Sequence, residues 1–148
     1  MVYEMWKLIA FIAHLSVASS YQGAATLPRE QLFCLAQAVY HEARGEDDEG
    51  QAAVAHVVLN RVHSSNYPNT ICEVVFQPAQ FSYITQNEGV DERSVRAAVL
   101  SYIGFINDPT DGALFYHNPQ RANPRYFRLA MNEIQIGQHV FYNIRRTK

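Results

Sequence analysis

Several residue types and patterns are scarce or missing in this 148-residue sequence, and each absence excludes something. There are only two cysteines, Cys34 and Cys72. Two cysteines do not make a disulfide framework, and a single bridge and a pair of buried thiols both remain open. Neither sits in a nucleophile signature. Charged residues make up only 18%, with a net charge of −2, so a general attraction to nucleic acid is not expected. No glycine-rich loop is built to cradle phosphate, and no Ser-His-Asp signature is present. No apolar run reaches the roughly 20 residues of a membrane-spanning helix. The pair His41-Glu42 begins like the zinc motif H-E-x-x-H, but Gly45 stands where the second histidine belongs. His56 and His63 are two helical turns apart with no carboxylate or cysteine to complete a site. No metal or other cofactor is therefore expected.

What is present describes one domain. The length supports a single core, and 48% hydrophobic content is that of a globular chain. Charge is unevenly placed. Residues 1–92 carry four basic and eleven acidic side chains, a balance of −7, whereas residues 93–148 carry eight basic and three acidic ones, a balance of +5. An anionic polymer along the basic half and arginines scattered over a solvated face both account for this. At the amino terminus, Lys7 precedes the apolar run "LIAFIAHLSVA", and small residues follow at Ala18 and Ser20. This reads as an export signal or weak anchor over residues 1–20, leaving 21–148 as the folded domain of an exported protein, expected to be monomeric.

Along that domain the pattern is helices first and a small sheet late. Leu32, Leu35, Val39 and Ala43 keep helical period between about Pro28 and Arg44, with Thr26 as a candidate cap and Gly45 as the stop. A second helix is expected from Asp48 to His63, its start lined by Asp47, Asp48 and Glu49, which suit the positive end of the helix dipole. Thr70 and Glu73 have capping-box spacing before a short helix. A third long helix is expected over Glu92–Ile106, capped by Asp91. "ALFYHN" reads as a strand, and "EIQIGQHVFYN" as a hairpin turning at Gly137-Gln138. The fold class is α+β, mainly helical, with a short late antiparallel sheet.

Glu42 is the residue out of place. It shares a helical stripe with Leu35, Ala38 and Val39, and it precedes the helix stop. Apolar surroundings and the negative end of a helix both disfavour a charged carboxylate, which is the condition a general acid needs. The plainer alternative is a buried glutamate satisfied by Arg44 or Arg61.

Around it, "HEARGEDDEGQAAVAHVVLNRV" resembles the central motif of the SleB/CwlJ-type cell wall hydrolases. "TICEVVFQPAQFSYI", "ALFYHNPQRANPRYF" and "IGQHVFY" resemble three further segments of that family, in the same order. The resemblance implies a small lysozyme-like domain that cleaves the glycan strands of peptidoglycan. It implies Glu42, the first glutamate of "EARGE", as the catalytic acid. It also implies lytic-transglycosylase chemistry, in which one glutamate protonates the leaving oxygen and then takes the proton of the muramic C6 hydroxyl, closing a 1,6-anhydro ring. Ordinary glycoside hydrolysis needs a second carboxylate. Glu46 is the candidate, although cap or first-turn duty for the second helix competes with that role.

Gln80, Phe81 and Ser82, with Tyr116 and His117, are the expected substrate-binding residues of the groove. His139 and Tyr142 belong to the closing hairpin, where structural duty is at least as well supported. Phe115, and Tyr126-Phe127 where the family commonly has tryptophan, depart from its pattern and leave the groove wall undetermined. A hydrolytic muramidase, a cell wall amidase and a non-catalytic wall-binding module are the rival readings.

Overall fold

The computed structural model describes residues 27–78 and 89–145. Residues 1–20, with the expected export signal, and Gln80, Phe81 and Ser82 lie outside the described residues, as does Thr26. Helix α1, Arg29–Ala43, begins at Pro28 without a side-chain cap. It buries Leu32, Leu35, Ala38 and Val39. Helix α2, Asp48–Val62, is capped by Asp47, whose carboxylate accepts the Gly50 N–H at 2.9 Å. Its small and β-branched residues Ala53, Val54, Val57 and Val58 are fully buried, which lets it pack closely against α1 and against α4, Glu92–Tyr102. The short helix α3, Ile71–Val75, starts from Thr70, which accepts the Glu73 N–H. Asp91 and Ser94 form a reciprocal cap at the start of α4.

Helix α4 stops four residues before the expected Ile106. Gly104 takes φ +75, a left-handed conformation that ends helices at little cost for glycine. The N–H groups of Phe105 and Ile106 both turn back to the Leu100 carbonyl.

Three strands form an antiparallel sheet in the order β1-β3-β2: β1 Phe115–His117, β2 Ala130–Ile136 and β3 His139–Ile144. Strand β2 starts earlier than the sequence pattern suggests, directly after a 3-10 turn at Arg125–Leu129. The pairing is irregular between Met131 and Ile134, where Asn132 takes φ +56. Gly137 and Gln138 form the two-residue hairpin turn, with φ +55 at Gly137, the positive value that a II′ turn requires at its first central residue. Among the described residues, no helix is long and apolar enough to cross a membrane.

The segment between α4 and β1 is stitched to the helices by polar side chains. Asp108 accepts from Asn60 Nδ2 at 2.8 Å, from the Thr110 N–H and hydroxyl, and from the Gly112 N–H. Burial pushes its carboxyl up, but these hydrogen bonds outweigh that and hold it below the ordinary carboxylate range. Asn60 also donates to the Ala113 carbonyl, and Arg61 Nε to the Leu114 carbonyl at 2.8 Å. The result is that β1 leaves this segment at a fixed place beside the end of α1.

Cys34 on α1 and Cys72 on α3 form a disulfide, with Cα atoms 5.2 Å apart and a sequence separation of 38. Closing a loop of that size removes entropy from the unfolded chain, so the Cys34→Ser, Cys72→Ser double variant is expected to lose roughly 2–4 kcal/mol of stability. Urea unfolding with and without reductant measures it, and an unchanged midpoint would contradict the assignment.

Candidate active site

A groove of about 860 Å³ opens between the end of α1 and the sheet. Its helical side carries His41, Glu42, Arg44, Gly45 and Glu46, with Arg61 reaching in from α2. Its other side is made by Tyr116 on β1, Asn118 and Arg121 just after it, and Gln138 and His139 at the hairpin tip. Glu42 is half-buried at the point where the apolar stripe of Leu35, Ala38 and Val39 meets the groove.

The strands sort their side chains by alternation. Tyr116 shares a face with Phe141 and His139, with ring centroids 5.4 Å away in each case. Its hydroxyl lies close to the Glu42 carboxylate. Burial, and then the neighbouring Glu42 charge, push the Tyr116 phenol well above its usual value, with Arg61 offsetting part of this. The phenol is therefore a neutral donor toward the carboxylate.

His117 turns to the opposite face. It is 8% exposed, packs edge-on to Phe127 at 4.6 Å, and shares a 3.1 Å hydrogen bond between Nδ1 and the Tyr142 hydroxyl. Tyr142 is in turn hydrogen-bonded to Tyr126, and burial raises its phenol. Burial, and then His139, hold His117 below the usual histidine range. The structure thus brings Tyr116 to Glu42, and His117 also lines the groove while its ring packs against Phe127 and Tyr142.

Glu46 does not cap α2, since Asp47 does. Its carboxylate crosses to the hairpin, where it accepts the Gln138 N–H at 3.2 Å and lies 3.2 Å from His139 Nδ1. Only 10% of its side chain is exposed. A Cβ on Gly137 would collide with the Glu46 carboxylate, so a larger residue there would displace that carboxylate as well as strain φ. Arg93 fixes the backbone of the same connection by donating to the Glu46 carbonyl at 3.1 Å, and it pairs with Asp48. Arg44 and Arg61 each lie over an aromatic ring, Tyr40 and Tyr67 respectively. Among the described residues, no group of three or more His, Cys, Asp or Glu is placed to hold a metal ion. Asn118, Arg121 and Gln138 were not singled out from sequence; they lie in turns, where no periodicity marks a side chain as facing the groove.

Comparison with known proteins places this geometry. A family model described as Cell Wall Hydrolase matches residues 45–142. A spore cortex-lytic enzyme of Bacillus cereus is 41% identical over 114 residues, covering 72% of this chain and 42% of that protein. One from Bacillus subtilis is 40% identical over 109 residues, covering 72% and 35%. The chain therefore spans about two-fifths of the length of these relatives. Among solved structures, the catalytic domain of the germination-specific lytic transglycosylase SleB from Bacillus anthracis superposes with a TM-score of 0.70 at 35% identity, covering 82% of this chain and 100% of that one. The catalytic domain of the Bacillus cereus SleB protein gives 0.69 at 34%, covering 84% and 99%. The fold is thus the lysozyme-like one.

The contact between Glu46 and the hairpin is testable through coupling. Gly137→Ala is expected to destabilise by about 1–3 kcal/mol from positive φ and the clash. In a Glu46→Ala background the clash is gone, and the two changes should be non-additive by about 0.5–3 kcal/mol. Urea unfolding of the four proteins measures this; additivity within error would show that the two residues do not meet.

Proposed function

The chain belongs to the cell wall hydrolase family, and on that premise we propose that it is an enzyme that cleaves the glycan strands of peptidoglycan by lytic-transglycosylase chemistry, with Glu42 as the acid. The observation that carries this reading is the arrangement at Glu42. A carboxyl group at the wall of a long polar groove has a phenol donor beside it, and the nearest other carboxylate, Glu46, is occupied by the hairpin. Glycoside hydrolysis with two carboxylates leaves the second one open to the sugar or to a water on its far face. Glu46 is a poor fit for that duty. A transglycosylase needs no such residue, because the muramic C6 hydroxyl is the nucleophile.

In this reaction Glu42 gives its proton to the leaving glycosidic oxygen, and the Tyr116 hydroxyl faces the charge that remains. The C6 oxygen bonds to C1, and its proton passes to a base. In the simplest form of the mechanism that base is Glu42 itself, now ionised. Tyr116, Asn118 and Gln138 line the groove for sugar hydroxyls and amides. Gln80, Phe81 and Ser82 are assigned to the same groove by their motif. His117 lines the groove as well, with its ring packed on Phe127 and Tyr142. The family's spore relatives are cortex-lytic enzymes, and the Cys34–Cys72 bridge suits an oxidising compartment. We accordingly assign the protein to an exported, wall-associated location, as a monomer, with residues 1–20 as its export signal.

Purified sacculi provide the test. Mass spectrometry of the soluble products should show 1,6-anhydro-muramic acid ends from the wild type, with Glu42→Gln slower by about 10²–10⁴-fold. Reducing-end sugars would overturn the transglycosylase assignment. Free peptides, or no products, would overturn glycan cleavage.

A further inference from the structure

We propose that His139, held by Glu46, is the proton acceptor of the reaction, so that its two proton transfers are divided between Glu42 and His139. This rests on the reading above and deepens it by assigning the base. The argument starts from the hydrogen bond. Glu46 Oε1 lies 3.2 Å from His139 Nδ1. An ionised carboxylate only accepts, so the neutral ring carries its proton on Nδ1 and presents a lone pair at Nε2. Nε2 has no hydrogen-bond partner among the described residues. The ring lines the same groove as Glu42, from the opposite side.

The orientation of this ring is determined on three sides. The Tyr116 ring meets it edge-on at 5.4 Å, and Phe141 lies behind it at 6.2 Å. The Gln138 N–H anchors the carboxylate that holds Nδ1, and Gly137 leaves room for that carboxylate. A histidine with one ring nitrogen fixed by a carboxylate, the other without a hydrogen-bond partner among the described residues, and its residue lining a groove is the arrangement by which imidazole serves as a base. Glu46, expected from sequence to be either a second catalytic carboxylate or a cap, becomes a positioning residue.

The charged and titratable groups around the ring are Glu46 on the α1–α2 connection, Glu42 on α1, Arg121 after β1, the neutral Tyr116 phenol, and His117 on β1. Burial has the largest effect and lowers the basicity of His139. Glu46 and Glu42 raise it, and Arg121 lowers it again. The net result holds His139 below the usual histidine value, so the ring is neutral and able to accept a proton near neutral pH.

The step balances without water. The bond from C1 to the leaving oxygen breaks, and that oxygen takes the Glu42 proton. The C6 oxygen bonds to C1, and its proton goes to His139 Nε2. The imidazolium then lies near two carboxylates, Glu42 and Glu46. Transfer of its proton to Glu42 through solvent restores the starting state.

The test uses the full chain on purified sacculi, following kcat, KM and pH. His139→Ala should lower kcat by about 10²–10⁴-fold with little change in KM. Added imidazole should restore part of the lost rate. The fall in wild-type rate on the acid side, which sets in below the ordinary histidine range, should vanish in the variant. Glu46→Gln should lose less rate and move that acid limb to lower pH, because the charge that raises His139 is gone. The proposal is overturned if His139→Ala keeps kcat within about threefold while Glu42→Gln is inactive. It is also overturned if the rate is lost but imidazole does not restore it in a variant with unchanged circular dichroism and Tm. A wild type that releases no glycan ends overturns the underlying reading as well.

Discussion

The Glu46 carboxylate reaches from the connection after α1 to a turn 92 residues away, where it accepts the Gln138 N–H and meets His139. The helices and the sheet touch sparingly elsewhere: β1 is guided by the Asp108 turn and by the Arg61 bond to the Leu114 carbonyl, and Phe141 is buried in the core. Glu46 fixes how far the hairpin tip stands from the end of α1, and so the width of the groove. It is a nearly buried charge, and such a charge is costly to desolvate unless its oxygens are satisfied. Here both the N–H and the imidazole serve it, and Gly137 supplies the space. The account of the site follows from that one constraint. With Glu46 committed, Glu42 is the carboxylate left facing the groove.

The sheet then acts as a partition. Its inner face carries Tyr116, His139 and Phe141 toward Glu42. Its other face carries Phe115, His117 and Tyr142, closed over by Tyr126 and Phe127. These outer aromatics make the wall stiff. The Tyr126–Tyr142–His117 chain of hydrogen bonds ties the 3-10 turn to both strands. Phe127 packs edge-on against His117, while Tyr126 stays exposed at the groove edge. The chemistry therefore depends on the inner face, and the shape of the groove on the outer one.

Much of this was legible in the sequence because it is local. The period of Leu32, Leu35 and Val39 gave α1, Asp91 marked the start of α4, and Gly137-Gln138 marked the hairpin. Glu42 stood out because its place in an apolar stripe is itself a local fact. The misses have equally specific causes. The periodic Val95, Val99, Tyr102 and Ile106 pointed past the real end of α4, since periodicity does not register the left-handed residue at Gly104. The role of Glu46 depends on a partner far along the chain, and no local pattern encodes that. The same holds for Cys34 and Cys72, whose approach to 5.2 Å is a product of helix packing.

The most direct measurement of the central claim is a crystal structure of the Glu42→Gln protein with a muropeptide-bearing glycan fragment bound. The account predicts that the glycan lies along the groove between the end of α1 and the hairpin. Its scissile oxygen should be within about 2.6–3.2 Å of the residue 42 amide, with the muramic C6 hydroxyl on the His139 side. A glycan bound elsewhere on the surface, or crossing the groove with its scissile bond out of reach of residue 42, would contradict it.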